Sequence, residues 1–134
     1  MITQNIKALV EYRLEQADES LEAARILLEK TMLRPAVNRS YYAMFYAVLS
    51  LLAIERKETS RHSGAVSLFD KEFVKRGIFA KDLSRWLHEA FDLRQISDYS
   101  AQSSISFEDA QLSFDHAKAF LEEVKSVLKQ NYHL

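Results

Sequence analysis

The sequence predicts an all-α fold, an up-and-down bundle of about five helices forming one domain over residues 1–134. Three observations lead there. Apolar residues recur at steps of three and four through most of the chain, the spacing that lines one face of an α-helix. The 134 residues include 2 Gly and 1 Pro, too few for the turns of a hairpin-rich or doubly wound sheet. With 0 Cys there is no disulfide framework or thiolate zinc site to substitute for a core.

The elements follow in order. Ile6, Val10, Leu14, Ala17, Leu21, Ala24 and Leu28 form one stripe opposite a charged face, which predicts an amphipathic helix over about residues 3–31. At about 1.5 Å per residue it is roughly 40 Å long. The alanines on its stripe let a neighbour approach closely. Thr31 to Pro35 break the pattern, and Pro35 suits the first turn of the next helix, where its missing N–H would be unpaired anyway. From about Ala36 to Glu55 there are two apolar rows, Val37, Tyr41, Met44, Val48 and Leu51 beside Tyr42, Phe45, Leu49 and Leu52. Apolar over so much of its circumference, this is the central helix. After a polar loop, Arg56 to Arg61, the stretch from His62 to Lys75 carries Val66, Phe69 and Phe73 at helical spacing, and Gly77 is placed to end it in the left-handed conformation. A fourth helix is predicted from about Lys81 to Asp98, with Leu83, Leu87, Ala90, Phe91 and Arg94 on one side. The string SDYSAQSSIS reads as a loop, after which Ser106 caps a last helix marked by Ala110, Phe114, Ala117, Leu121, Val124 and Leu128.

Charge narrows the function. The formal net charge is −1, from 18 Lys plus Arg and 19 Asp plus Glu, which argues against a broadly polycationic nucleic-acid binder. Residues 54–85 nevertheless hold 8 basic and 5 acidic side chains, and residues 86–134 hold 4 and 8. Any anionic contact is therefore local. The apolar run from Ala43 to Ile54 is interrupted by Ser50 and falls short of the roughly 20 residues of a membrane span. The first residues carry charge from Lys7 onward with no apolar stretch of signal-peptide length, so a cytoplasmic protein is expected. His62, His88, His116 and His133 make no metal-ligand spacing, and no phosphate-cradling glycine loop or GxSxG string occurs. No cofactor is expected.

Three groups could carry chemistry. In LRQISDY, Arg94 and Asp98 continue the stripe of Leu87 and Phe91, so the guanidinium is paired or lines a cleft. It either ties the helix to its loop or clamps a phosphate, with Tyr99 beside it. In NRSYYAMFYA, Asn38, Arg39, Ser40, Tyr41 and Tyr42 crowd the start of an otherwise apolar helix. They are either core tyrosines with local polar bonds or the wall of a nucleotide pocket combining stacking, amide and guanidinium contacts. His62, in SRHSG, sits at a predicted helix start beside Arg61, where it caps the helix or binds an anion.

The order and spacing of NRSYYAMFYA, RHSGAVSLF, EFVKRGIF and LRQISDY resemble the HEPN domain family, in its small single-domain prokaryotic, toxin–antitoxin-like branch, over about residues 5–130. The resemblance implies a helical bundle that forms a homodimer. It also implies a metal-independent endoribonuclease motif, an Arg followed after four to six residues by His, with two such motifs meeting across the dimer. In that motif the Arg stabilises phosphate charge and the His assists attack by the RNA 2′-OH. Arg94 matches the Arg, but Tyr99 stands five positions later where the His would be, and Ala101 stands where a related toxin subtype carries a further Tyr. A phenol, ordinarily titrating near 10, is a poor base near neutrality but a good hydrogen-bond donor.

The resemblance thus implies a degenerate Arg-x4-Tyr site in which Arg94 binds the scissile phosphate, Tyr99 supplies a hydrogen bond and Asp98 orients Arg94. Asn38, Arg39, Tyr42 and His62 would contact RNA or nucleotide, and a minimal nucleotidyltransferase would be the partner protein. The alternative is a non-catalytic bundle that binds nucleotides or another protein.

Overall fold

The computed structural model describes residues 2–59, 61–99 and 105–134; the side chain of Tyr99, Ala101 and much of the SDYSAQSSIS stretch lie outside the described residues. Within them the chain forms α1 (Gln4–Glu29), α2 (Leu33–Ile54), α3 (His62–Phe69), a π turn (Asp70–Val74), α4 (Lys81–Tyr99) and α5 (Phe107–Tyr132), with no strand among the described residues. This is the all-α bundle expected.

Why the helices start where they do is legible locally. The Thr3 hydroxyl accepts the Ile6 N–H at 3.1 Å, and the Ser106 hydroxyl accepts the Asp109 N–H at 3.0 Å. Each satisfies a first-turn donor that has no partner within the helix. The second helix begins at Leu33, three residues before the position that periodicity suggests. Pro35 thereby falls inside the first turn, where an absent N–H costs nothing.

The ends are less expected in a chain so poor in glycine. Gly77 (φ +79°) closes the π turn, with the Ile78 N–H donating to the Phe73 carbonyl and the Gly77 N–H to that of Val74, the paired bonds of a Schellman motif. The same pattern ends α1 at Thr31 (φ +56°) and α2 at Arg56 (φ +56°), neither a glycine. Both pay a steric cost of about 1–2 kcal/mol for the left-handed region.

The central helix packs against α1, α3, α4 and α5. Three residues join α1 to α2, so the two lie antiparallel along their length, with Ala17 and Ala24 fully buried at their contact as small residues permit. Around α2 the core gathers Val10, Tyr41, Met44, Leu51, Phe69, Phe73, Leu87, Phe120 and Leu128. Phe120 meets Phe69 at 5.3 Å between ring centres, which fixes α5 against α3. A second cluster, Leu28, Ala36, Val37 and Ala110, with Leu93 and Phe114 packed on it, joins the far ends of α1, α2, α4 and α5.

The one departure from a plain helix is the π turn, where periodicity predicts regular helix to Lys75. The Lys75 N–H donates to the Asp70 carbonyl at 2.8 Å, a five-residue step. The wider turn leaves both Phe69 and Phe73 fully buried. It also directs Asp70 at α4, where the Ser84 hydroxyl donates to one carboxylate oxygen and His88 Nε2 pairs with the other, each at 2.6 Å. This polar tie docks the α3 unit on α4.

Candidate functional site

Tyr41 and Tyr42 are consecutive on α2 and therefore point about 100° apart. Tyr41 is fully buried, whereas Tyr42 is half-buried. Across from them α4 contributes Arg94, whose side chain is 13% exposed and whose guanidinium carbon lies 5.4 Å from the centre of each tyrosine ring. So deep a cation needs compensation. Part comes from Asp98 one turn on, with Nε 3.2 Å from Oδ2. That Nε–H is not aligned as a hydrogen bond, so the pair is held by charge more than by geometry. Part comes from the ring faces, as cation–π contacts. The nearest approach to a side-chain hydroxyl is 3.5 Å, Nη2 to the Tyr42 oxygen, at the outer limit of a hydrogen bond.

The third contributor is His62, the first residue of α3. Its ring stacks on Phe45 at 4.3 Å between centres and 24° between planes, and meets Tyr42 edge-on at 5.4 Å and 89°. Nδ1 lies 2.8 Å from the Tyr41 hydroxyl oxygen. Burial, and then the charge of Arg94, hold this imidazole below the ordinary histidine range. Burial pushes the Tyr41 phenol well above its ordinary value, so it stays protonated.

Asn38 and Arg39 stand on the other side of Tyr42. The Arg39 guanidinium lies over that ring at 4.7 Å and donates through Nε and Nη2 to the Asn38 side-chain oxygen at 3.0 and 2.8 Å. Two guanidiniums thus lie near the Tyr42 ring. Of the residues singled out from sequence, Arg94, Asp98, Tyr42 and His62 come together, and Asn38 and Arg39 flank them. For Tyr99 only the backbone, at the end of α4, is described.

Tyr41 is a core tyrosine whose hydroxyl reaches a partner, one of the two readings of its string, and that partner is His62. Sequence reasoning missed one contributor. It is Gly64: a Cβ built there would stand 2.4 Å from the Thr59 hydroxyl oxygen. That hydroxyl accepts the Arg61 N–H at 3.2 Å and donates to the Arg61 carbonyl at 3.3 Å, closing the turn that delivers His62. A glycine inside a helical pattern, which costs about 1 kcal/mol against alanine, is the signal that could have found it.

Depressions lie elsewhere on the described surface. One of about 210 Å³ between α4 and α5 is lined by Trp86, Glu89, Ser113 and His116 among others, and one of about 690 Å³ opens beside Arg13, Lys57 and Arg61. Neither is lined by Arg94, Tyr42 or His62.

Similarity to known proteins agrees with this picture. Residues 10–127 match the HEPN domain. A protein of Methanocaldococcus jannaschii named "Putative toxin MJ0142" is 35% identical over 91% of this chain and 83% of its own length. A UPF0332 protein of Thermotoga maritima is 34% identical over 90% and 92%, and another of Gloeobacter violaceus is 39% identical over 87% and 94%.

Proposed function

The chain belongs to the HEPN domain family, and on that premise we propose that it is a toxin-like ribonuclease whose Arg94 site engages an RNA phosphodiester. The observation that carries this reading is the state of Arg94. A guanidinium 13% exposed, with one carboxylate on Nε and aromatic faces around it, keeps donors suited to two phosphate oxygens at once. The flanking Tyr42 and Arg39 supply a stacking face and a second cation for the neighbouring nucleotide.

Cleavage by the RNA's own 2′-OH needs a proton acceptor and a stabilised phosphorane, and no metal ion enters that chemistry. One Arg94 per chain is a sparse site, so the reading includes a homodimer that brings two together. A nucleotidyltransferase encoded alongside would be the partner that restrains it. Because few cations are involved, affinity should fall only modestly with salt, unlike that of a polybasic binder.

The test is incubation of the purified chain with cellular RNA in a chelator, beside Arg94→Ala. Arg94-dependent fragments support the reading; equal background from both proteins overturns it. Tyr99 at the motif's His position favours a second reading, binding without turnover. It predicts saturable, salt-sensitive RNA or nucleotide affinity with intact RNA, and calorimetry showing no heat with either would dispose of it.

A further inference from the structure

We propose that His62, brought in by the first turn of α3, is the proton-transferring catalytic residue of the Arg94 site, in place of the motif position that Tyr99 occupies. The proposal rests on the ribonuclease reading above and deepens it. Three features of the structure support it.

The first is placement. His62 and Arg94 come from helices far apart in sequence, yet both rest on the rings of Tyr41 and Tyr42, each within about 5.5 Å of the ring centres. A phosphate held by Arg94 would therefore carry its adjacent ribose close to the imidazole.

The second is orientation. Stacking on Phe45 and the edge contact with Tyr42 fix the ring plane, and the Tyr41 hydroxyl engages Nδ1. Among the described residues no hydrogen bond engages Nε2, and His62 is half-buried. In the tautomer whose Nδ1–H donates to the Tyr41 oxygen, Nε2 carries the lone pair. A buried hydroxyl fixing one ring nitrogen so that the other can act is how a histidine is prepared for proton transfer.

The third is charge state. Among the described residues, the groups at His62 are the Tyr41 hydroxyl and the Tyr42 ring from α2 and the charge of Arg94 from α4, with Asp98 engaged on Arg94. Burial and that guanidinium favour the neutral imidazole, the form a base requires.

The step balances simply. Nε2 takes the proton of the ribose 2′-OH as the 2′-oxygen forms a bond to the adjacent phosphorus. The bond from phosphorus to the 5′-oxygen breaks, and that oxygen takes a proton from water. The hydroxide so formed recovers the proton from His62. The products are a 2′,3′-cyclic phosphate and a 5′-hydroxyl, with no redox change. Arg94 neutralises the charge that builds on the non-bridging oxygens.

The experiment uses the full chain in chelator with an RNA oligonucleotide, and a matched oligonucleotide with 2′-deoxyribose at the cleavage site for binding. His62→Ala and His62→Gln should lower cleavage about 10²–10⁴-fold, the usual range for loss of a general base, while binding of the uncleavable oligonucleotide stays within about threefold. Added imidazole should restore part of the activity of His62→Ala and none of that of Arg94→Ala, which separates proton transfer from a structural role. Cleavage by His62→Gln within a few-fold of the unaltered chain overturns the assignment and leaves the ribonuclease reading standing. Absence of Arg94-dependent cleavage by the unaltered chain overturns both.

Discussion

Replacing Gly64 by alanine puts a methyl group 2.4 Å from the Thr59 hydroxyl oxygen and 3.4 Å from the Thr59 Cβ. Ordinary carbon–oxygen contact needs nearly 1 Å more. The Thr59 side chain is short, and the rotation that would clear the methyl gives up both of its bonds to Arg61. Overpacking of this kind costs about 1–3 kcal/mol, and alanine in place of glycine in a helix returns about 0.5–1 kcal/mol. Gly64→Ala should therefore destabilise the chain by about 1–2 kcal/mol.

In a Thr59→Ala background the offending oxygen is gone, and only the helix-propensity gain remains. The same substitution should then stabilise by about 0.5–1 kcal/mol. The coupling between the two sites is thus about 2 kcal/mol, within the range for residues in contact. Urea unfolding of the four proteins measures it, as does melting, at about 4 °C per kcal/mol for a chain of this size. Stabilisation by Gly64→Ala in both backgrounds would show that the turn does not press on α3. Because that turn delivers His62, the proposed ribonuclease role predicts RNA cleavage that falls in the single variant and recovers only in part in the double variant, which still lacks the Thr59 bonds.

Other expectations follow from the packing and the titrating groups. His62 and His116 are both held below the ordinary histidine value, chiefly by burial. Between about pH 6.5 and their folded values the unfolded chain binds more protons, so stability is full above that window and is lost as pH falls through it. Urea midpoints should drop between pH 7.5 and 5.5, and drop less in His62→Gln; equal midpoints at the two pH values would refute the shifts. Thr31→Gly relieves the left-handed β-branched residue that ends α1 and should stabilise by about 0.5–1 kcal/mol after the entropy of glycine is set against it; a lower melting temperature would count against the strain. Phe120→Ala, at a fully buried position against Phe69, should cost about 3–5 kcal/mol. A cost below 1.5 kcal/mol by denaturant unfolding would mean that α5 is not seated on that ring.

The helices were legible because each needs only a local pattern: the stripes of α1 and α5, the double apolar row of α2, the Ser106 cap and the Gly77 terminus all stand in the sequence. What periodicity could not supply was the π turn, since a five-residue step is chosen by how Phe69, Phe73 and Asp70 are jointly satisfied. The left-handed Thr31 and Arg56 were likewise illegible, because tertiary packing imposes them against residue preference. For the site, Arg94 and Asp98 stood out as charges on an apolar stripe, a conflict visible in one helix. The pairing of His62 with Tyr41 is 21 residues apart in sequence and is set by how α3 docks on α2. No spacing rule within either helix encodes it.

The two halves of the Arg94 cluster do not share one lifetime. Tyr41 and Tyr42 belong to the helix that every other helix touches, so their amides should exchange with solvent only when the whole bundle opens. His62 belongs to an eight-residue helix behind a polar turn, anchored by its ring contacts, by Phe69 and by the Asp70 tie to α4. Its amides should exchange through a smaller, cheaper opening. Arg94 and its aromatic bed should then persist as long as the protein is folded, while the imidazole should be in place only for the fraction of time that α3 stays docked.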